Sequence, residues 1–360
     1  MGAGLFGCEP IQGVFHVLTG ANGTGKSRYL GELARAWVGL KQYDRIICLS
    51  GTLYEKFPPP REFKERRCDY LYFGNRVNYN LVSEIAPFRV LVPIILGAGC
   101  NPVSGTLAGE ALKGIGFEPS LKMRFRMGRN SKDSISRAAK QLDLRLNLDG
   151  GLCQSDDTEQ RLAMLRNKEI HLSDLEIVKD GARLSLWALS SGERLYILSM
   201  LVLSFCTIDR TLILFDEPEN SLHPQWQTKL IKDMTRILNG AERLCTVVIA
   251  THSPLVVSSV PSRGSLIRDL PSSGGWIESE HYGRNADSIL VEQFGINSPR
   301  SLSVALIIQN CLSELLNLHD NPERFVEAVS ELRSANVDFH EDDPLYDTVQ
   351  QIFKIAEGLQ

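Results

Sequence analysis

Short apolar segments that end at glycine-rich or acidic turns recur along this 360-residue chain. The first, Gly13–Thr19, is apolar enough for a buried strand. Beyond a glycine-rich turn, apolar residues return with the spacing of one helix face, at Leu30, Leu33, Ala34, Trp37 and Val38. The pattern predicts a strand, a turn and an amphipathic helix, in that order.

Three later segments extend this pattern. Leu195–Ile208 is apolar over the length of a helix, whereas Thr211–Phe215 and Thr246–Ala250 are apolar or β-branched and predict buried strands. Buried strands that alternate with helices are typical of a parallel sheet covered on both faces. We therefore expect an α/β fold.

The middle and the end of the chain follow other patterns. Leu121–Met127 alternates apolar and basic residues, which predicts a half-buried strand, and the Asp180–Gly181 turn predicts a hairpin. Val304–Leu316 and the residues after it have helical spacing. We expect a head domain over residues 1–300, with an inserted α+β region at about 59–165, and a helical module over 301–360.

The first turn is a full match to the pattern GxxxxGK[ST]. Its residues are Gly20, Ala21, Asn22, Gly23, Thr24, Gly25, Lys26 and Ser27. Backbone N–H groups in such a turn, at the start of a helix, bind the phosphates of a nucleotide. Lys26 is expected to reach the β- and γ-phosphates and the Ser27 hydroxyl to hold Mg²⁺.

Two more strands end in residues suited to phosphate chemistry. Asp216 and Glu217 follow the strand Thr211–Phe215, so we expect Asp216 on the metal and Glu217 as the general base for water. His252 follows the strand Thr246–Ala250 and is placed to donate to a γ-phosphate oxygen. Glu217, His252 and Lys26 form the predicted catalytic set, and Ser27 and Asp216 are the predicted metal ligands.

Ser190, Ser191, Gly192 and Glu193 precede the apolar helix and have two interpretations. As an anion-binding turn they would contact a nucleotide held by another subunit, because the P-loop already coordinates its own. Alternatively, Ser190 or Ser191 is an ordinary helix N-cap. The sequence leaves both open.

Together, the P-loop, Leu-Ser-Ser-Gly-Glu, Asp-Glu-Pro-Glu-Asn-Ser-Leu-His-Pro and Ala-Thr-His-Ser-Pro occur in the order of ABC-type ATPases. Within that superfamily the chain resembles the branch of SMC, Rad50, RecF and OLD-like proteins. It is most similar to compact ATPases of prokaryotic anti-phage modules, of the Septu and retron-associated types. The resemblance covers roughly residues 10–58 and 165–300.

The resemblance implies a P-loop NTPase head of ABC type that takes ATP and Mg²⁺. Two such heads form a homodimer, or part of a higher oligomer, that encloses two ATP molecules. Ser190 and Gly192 then act on the partner's nucleotide, and Glu219-Asn220-Ser221 crosses the interface. In the anti-phage branch the ATPase controls a separately encoded effector, which we expect to be a nuclease.

The sequence departs from the superfamily pattern in three places. No glutamine follows a strand between the P-loop and Ser190, and Asn75 is only a weak substitute, which puts the hydrolysis rate in question. Heptad repeats are missing between residues 60 and 188, so we expect no long coiled-coil arms. Nothing after His252 resembles the OLD nuclease domain.

Charge distribution leaves two further alternatives open. The net charge of −4 argues against a nucleic-acid coat protein, but Lys122–Lys140 carries +6 and could contact nucleic acid as in a RecF-like DNA clamp. A solvated face explains that segment nearly as well. Residues 320–360 carry −7, either as a docking surface for a partner or as helices packed on the head.

The remaining features suggest an ordinary intracellular protein. The eight cysteines have no metal-ligand spacing and are expected to be reduced. No secretory signal is visible, and no apolar run is long enough to cross a bilayer. We therefore expect a cytoplasmic protein without membrane contact.

Overall fold

The computed structural model describes most of the chain: residues 14–40, 42–63, 67–78, 81–97, 102–128, 143–149, 156–262, 264–270, 275–284, 289, 302–316, 318, 321–335, 337, 339 and 345–359. It divides into two compact units, Met1–Ile289 and Leu290–Gln360. The predicted boundary at residue 300 lies outside the described residues and stays a prediction.

The structure alternates strands and helices through the first unit, and only helices follow in the described part of the second. The strands are β1 (Val14–Gly20), β2 (Arg45–Ser50), β3 (Asp69–Phe73), β4 (Arg76–Asn78), β5 (Leu81–Val82), β6 (Phe117–Met127), β7 (Leu144–Asn147), β8 (Ile170–Lys179), β9 (Ala182–Ser185), β10 (Thr211–Asp216), β11 (Cys245–Ala250), β12 (Leu266–Leu270) and β13 (Ile277–Glu278). The helices are α1 (Lys26–Val38), α2 (Ala86–Gly97), α3 (Pro102–Lys113), α4 (Asp156–Arg166), α5 (Ser191–Cys206), α6 (Pro224–Gly240), α7 (Pro254–Ser259), α8 (Leu302–Leu316), α9 (Pro322–Ser334) and α10 (Tyr346–Glu357).

A seven-stranded sheet forms the centre of the first unit, in the order β13-β12-β1-β11-β10-β2-β3. Every neighbouring pair is parallel except β12 and β13. All residues of β1, β10 and β11 are buried, because helices cover both faces of the sheet. The predicted α/β fold is confirmed.

The register of these strands brings the predicted site residues to one edge of the sheet. Asp216, the last residue of β10, pairs with Ala250 at the end of β11, and Ala250 pairs with Leu18 of β1. The P-loop leaves β1 at this edge, at Gly20. Parallel strands thus place residues from three distant parts of the sequence together.

Two helices pack as the apolar pattern requires. α1 buries the five apolar residues that predicted it, and these contact the apolar side chains of β2 and β10. α5 is buried on nearly all sides, from Leu195 to Cys206, as expected for a helix inside the molecule. It ends at Cys206, so the prediction that the helix continues to Ile208 was wrong; Thr207, its C-cap, already has an extended backbone.

The inserted region forms a second, antiparallel sheet in the order β7-β6-β8-β9. Leu121, Met123 and Phe125 of β6 are buried and the intervening residues are more exposed, as predicted. β8 and β9 form the predicted hairpin, and Asp180 and Gly181 both have positive φ (51° and 77°).

The limits of this region differ from the prediction. β3 lies within residues 59–165 but pairs with β2 in the main sheet, whereas β8 and β9 belong to the second sheet although they follow residue 165. Short strands give no sequence signal of which sheet they join, because that depends on their hydrogen-bonding partners.

Only part of the basic segment Lys122–Lys140 is described, since residues 129–142 are not. Lys122 pairs with Asp143 at 2.8 Å, and Arg124 pairs with Glu176. These carboxylates neutralise two of the three basic residues of β6, while the other four bases of the segment lie outside the described residues. The described part of the segment therefore does not support a continuous phosphate-binding surface.

The second unit is helical, as predicted. α8, α9 and α10 share an apolar core that includes Ile308, Cys311, Phe325, Val329 and Ile352. The unit therefore has a hydrophobic core of its own. Its two interpretations, as a docking surface or as helices packed on the head, stay predictions.

Two remaining predictions concern thiols and membrane segments. The five cysteines that the structure describes are buried free thiols: Cys48, Cys68, Cys206, Cys245 and Cys311. Cys8, Cys100 and Cys153 lie outside the described residues. Among the described helices, none combines the length and the apolar character needed to span a bilayer.

Candidate active site

The P-loop connects the end of β1 to the start of α1. Gly20 has φ 138°, and a Cβ there would lie 2.3 Å from the carbonyl oxygen of Leu270 in β12. Ala21, Asn22 and Gly23 are exposed, while Thr24 closes the turn by donating to the Ala21 carbonyl at 2.9 Å. The turn thus presents an open backbone toward solvent.

Gly25 is the N-cap of α1, with φ 99° and no side-chain capping bond. The first turn of α1 contains no acidic residue. Its unpaired backbone N–H groups and the positive end of the helix dipole are therefore available to an anion, which is the arrangement that binds phosphate.

Lys26 is 4% exposed and lies inside the loop that it follows. Its ammonium group donates to the carbonyls of Gly20 and Ala21, at 3.0 and 3.1 Å, and to His252 Nδ1 at 3.3 Å. Burial lowers the pKa of Lys26, although the carboxylates of Glu217 and Asp216 act in the other direction. The Lys26 ammonium nitrogen thus lies against the backbone of the P-loop.

Ser27 and Asp216 meet at the same place. The Ser27 hydroxyl donates to Asp216 Oδ1 at 3.1 Å. Asp216 is fully buried, and its Oδ2 has no hydrogen-bond partner within the described structure. Burial raises the pKa of Asp216 to about 7, and the neighbouring carboxylates of Glu217 and Glu55 add to this effect.

These two residues fit a magnesium ion. A buried carboxylate oxygen without a donor is costly unless a cation or a proton compensates it. Carboxylate and hydroxyl oxygens are the ligands that Mg²⁺ takes in nucleotide sites, where it keeps several waters. Ser27 Oγ and Asp216 Oδ2 would supply these oxygens.

Glu217 lies directly after β10 in a left-handed backbone conformation, with φ 49°. Its carboxylate is 3.2 Å from His252 Nε2. Since the Lys26 ammonium can only donate, His252 Nδ1 accepts from it, and Nε2 carries the proton that points at Glu217. This hydrogen bond holds the pKa of Glu217 below its usual value, although burial opposes it.

Glu219 has a role that the sequence did not reveal. Its Oε1 accepts hydrogen bonds from the backbone N–H of His252 at 2.6 Å and from the Thr251 hydroxyl at 2.8 Å. The sequence pattern assigned Glu219 to a segment that crosses a dimer interface, whereas here its carboxylate holds the loop after β11. The only sign of this role in the sequence was that an acidic residue, Glu219, follows Asp216-Glu217-Pro218.

Ser190 and Glu193 form a capping box at the start of α5. The Ser190 hydroxyl accepts from the Glu193 N–H at 3.2 Å, and Glu193 Oε2 accepts from the Ser190 N–H at 2.8 Å. The N-cap interpretation is thus present in the structure, with Ser190 as the capping residue. Ser190 and Ser191 remain exposed, which leaves their hydroxyls accessible from outside.

Gly192 is buried against the segment that follows β10. A Cβ at Gly192 would lie 2.3 Å from the carbonyl oxygen of Ser221. Asn220 lies in the same segment and donates to the Gly51 carbonyl at 2.7 Å. Over the described residues, no hydrogen bond or ion pair joins Ser190–Glu193 or Asn220 to the P-loop.

Asn75 and Glu55 lie near the end of β2. Asn75 lines a cavity of about 230 Å³ together with Ser191 and Asn220. Glu55 is 1% exposed and accepts a hydrogen bond from the Tyr72 hydroxyl. No sequence pattern singles out Glu55, because a lone acidic residue in a loop belongs to no motif.

One known protein family matches part of the chain. Residues 120–258 match the family described as "AAA domain, putative AbiEii toxin, Type IV TA system". The matched range contains the capping box at Ser190, the pair Asp216 and Glu217, and His252, but not the P-loop.

Two curated proteins are similar to the chain. "Protein ea59" of Escherichia phage lambda is 25% identical over 224 residues, which are 60% of this chain and 37% of that protein. "Retron Vc95 probable ATPase" of Vibrio cholerae serotype O1 biovar El Tor is 26% identical over 140 residues, 35% of this chain and 26% of that protein. The chain thus spans between about a quarter and two fifths of these relatives.

Two solved structures align with most of the chain at low similarity. One, of a metal-chelate type ABC transporter in an inward-facing conformation, has a TM-score of 0.36 and 16% identity, and covers 79% of this chain and 78% of its own. The other, UvrA2 from Deinococcus radiodurans, has a TM-score of 0.32 and 15% identity, and covers 78% and 36%. Scores this low do not by themselves establish a shared fold.

Proposed function

We propose that this chain, whose residues 120–258 match an AAA-domain family and which is similar to a retron ATPase, is an ATP-driven switch. It binds and hydrolyses ATP, dimerises head-to-tail around two ATP molecules, and controls a separately encoded effector of the nuclease class in anti-phage defence. The observation that carries this proposal is the contact of Ser27 with Asp216, whose second carboxylate oxygen has no partner.

Binding begins at the P-loop. The backbone N–H groups at the start of α1 hold the phosphates, and Lys26 exchanges the carbonyls of Gly20 and Ala21 for the β- and γ-phosphate oxygens. Ser27 and Asp216 would hold the divalent cation through their side-chain oxygens. When bound, Mg²⁺ would neutralise charge that develops on the phosphates.

Hydrolysis requires Glu217 and His252. Glu217 is ionised at neutral pH, because its pKa is lowered, so it can accept a proton from the attacking water. The water oxygen bonds to the γ-phosphorus, the bond from that phosphorus to the bridging oxygen breaks, and ADP leaves. His252 has one proton to donate, on Nε2; in this structure it points at Glu217, and with ATP bound it would turn to a γ-phosphate oxygen. Its pairing with Glu217 links the two roles.

Dimerisation would bring the start of α5 to the partner's nucleotide. Ser190 and Ser191 are exposed there, and the backbone at a helix N-terminus favours an anion. Within the described part of the chain, no hydrogen bond or ion pair joins Ser190–Glu193 to the chain's own P-loop, which is consistent with a role across the interface. The similarity to the retron ATPase supports a role in defence.

Two substitutions test the switch. Glu217→Gln should retain ATP and form a stable dimer with it, whereas Lys26→Ala should bind no nucleotide at the P-loop and stay monomeric at the same concentrations. Light scattering after size-exclusion chromatography, with and without Mg·ATP, measures both. A Glu217→Gln protein that binds ATP and remains monomeric would contradict the proposed dimer.

Control of an effector requires a separate experiment. The products of neighbouring genes should co-purify with the Glu217→Gln protein, and the amount recovered should differ between samples with and without Mg·ATP. If none binds in either state, the effector part of the proposal fails while ATP binding stands.

The RecF-like DNA clamp remains the alternative, but no described contact favours it. Lys122 and Arg124 are neutralised by neighbouring carboxylates, as described above. Charge reversal at Arg124, Arg126 and Arg129 would leave DNA affinity and its salt dependence unchanged if this segment is simply a solvated surface.

A further inference from the structure

A second cavity lies at the opposite end of the main sheet from the P-loop. Its volume is about 550 Å³, and it opens beside Arg45, Thr207 and Ile208. Arg45 begins β2 and pairs with Thr211 at the beginning of β10, whereas Ser50 and Asp216 end the same two strands at the candidate active site. Six strand residues span about 17 Å, so the two sites are separate.

Three arginines from distant parts of the chain converge on this cavity: Arg45 of β2, Arg166 at the end of α4, and Arg243 just before β11. No carboxylate is among the described residues that line it. Like charges brought together repel one another, so such a cluster favours a bound anion.

Only one of the three is neutralised within the described structure. Arg45 pairs with Asp69 at 2.8 Å and also donates to the Cys206 carbonyl. Arg243 donates to the carbonyl and the hydroxyl of Thr207, which carry no charge. Arg166 is exposed and forms no ion pair or hydrogen bond with the residues that the structure describes. Two positive charges are therefore uncompensated.

The rest of the wall is largely apolar. Ile94 and Phe205 line it, and Ile208 is 37% exposed beside them. A concave site of a few hundred cubic ångströms, with an apolar wall and a few converging charges, is typical of sites for small organic ligands. Guanidinium groups in such a site bind phosphate through paired hydrogen bonds.

We propose that this cavity, which we call the arginine cavity, binds a small phosphate-bearing molecule of the nucleotide class at a second, non-catalytic site. The phosphate would contact Arg166 and Arg243, and the organic part would lie against Ile94, Phe205 and Ile208. A small ligand fits better than a nucleic-acid backbone, because the arginines converge on one concavity rather than following a surface. The inference does not depend on the proposed ATPase activity.

The arginine cavity adjoins the last turn of α5. Phe205 lies in the last turn of α5, the helix that starts with the capping box of Ser190 and Glu193. A ligand here would contact the helix whose other end is exposed beside the candidate active site.

Calorimetric titration of Lys26→Ala protein tests the second site with the P-loop disabled. Three probes are used separately: ADP, inorganic pyrophosphate, and a 12-nucleotide single-stranded DNA. We expect one ADP per chain, and competition between ADP and pyrophosphate. Adding Arg166→Ala should weaken ADP binding at least tenfold, and since Arg166 is exposed and unpaired this change should leave the fold intact, as checked by circular dichroism.

Arg183→Ala is the matched control. Arg183 is an exposed arginine of β9, so its removal changes the net charge equally without touching the arginine cavity. Absence of ADP binding in the Lys26→Ala protein, or equal effects of Arg166→Ala and Arg183→Ala, would overturn the proposal. DNA binding without ADP binding would overturn it in favour of a polymer site. Wild-type and Lys26→Ala proteins with the same ADP stoichiometry would instead count against the P-loop assignment.

Discussion

Lys179 Nζ donates a hydrogen bond to Glu193 Oε1 at 2.7 Å and so joins the last residue of β8 to the first turn of α5. Glu193 also accepts from the backbone N–H and the hydroxyl of Ser190. One carboxylate therefore caps the helix and connects it to the second sheet. Lys179 and the hydrogen bonds from Ser190 hold the pKa of Glu193 below its usual value, although burial acts against them.

Replacing Lys179 should loosen this connection. Lys179→Met keeps the length of the side chain but removes the ion pair, in which the two side chains are 28% and 15% exposed. We expect a loss of about 1 kcal/mol in the free energy of unfolding, measured by urea denaturation. Lys232→Met is the control, because Lys232 is an exposed lysine of α6 without an ion pair in the described structure. Equal stability of the two variants would show that the contact contributes nothing.

Gly192→Ala should destabilise the start of α5 even though alanine favours helices. The added methyl group would lie 2.3 Å from the Ser221 carbonyl oxygen, so backbone must move. We expect a loss of about 2 kcal/mol or more, measured by thermal unfolding. Gly39→Ala, where a Cβ meets only an ordinary contact at 3.8 Å, should be nearly neutral. A Gly192→Ala protein as stable as Gly39→Ala would contradict the crowding.

Glu219 should matter for turnover more than for binding. Glu219→Ala removes the acceptor that holds the Thr251 hydroxyl and the His252 N–H, so His252 loses its position beside Glu217. We expect ATP turnover to fall about tenfold or more, in line with the loss of a positioned proton-transfer partner. The dissociation constant for Mg·ATP should change little.

Glu219→Gln provides the rescue, because an amide oxygen can still accept both hydrogen bonds. Its turnover should exceed that of Glu219→Ala clearly. If both variants were equally impaired, the negative charge of Glu219 rather than its hydrogen bonds would be what His252 requires.

The stability of the protein should fall in mild acid because of His16. Burial lowers the pKa of His16 to about 4, and its Nδ1 accepts the Leu266 N–H at 3.2 Å, which requires an unprotonated nitrogen. Between pH 6.5 and 4 the unfolded chain binds a proton at His16 that the folded chain does not. The contribution of unprotonated His16 to the free energy of unfolding is complete above pH 6.5 and is lost as the pH falls toward 4.

Between pH 7.5 and 5 this loss should amount to about 2 kcal/mol. Urea unfolding at several pH values measures it. His16→Gln keeps an acceptor for Leu266 but cannot be protonated, so its stability should depend less on pH over this range. Parallel pH profiles for both proteins would assign the acid loss to other groups.

Much of the fold was predictable from local patterns. The spacing of Leu30, Leu33 and Trp37 predicted α1, and the alternation through Leu121–Met127 predicted β6, because side-chain burial repeats with the period of each element. The Asp180–Gly181 turn was predictable because both residues tolerate the positive φ that such a turn requires. The P-loop was recognisable for the same reason, since eight consecutive residues carry its chemistry.

Other features required contacts between distant residues. Glu219 was visible in the sequence, but its hydrogen bond to the His252 N–H spans 33 positions. The membership of β3 in the main sheet depended on its pairing with β2, and the end of α5 at Cys206 depended on the turn into β10. Arg45, Arg166 and Arg243 have no common pattern in the sequence and meet only in the arginine cavity.

The sequence by itself determined which segments become strands, helices and the phosphate-binding turn, because those choices depend on neighbours a few residues away. Tertiary structure decided which carboxylate supports His252, which strand joins which sheet, and where uncompensated arginines converge. Such relationships follow from the order of strands in the sheet and from burial between packed elements. Both depend on contacts between residues that are distant in the sequence, so no short segment of the chain predicts them.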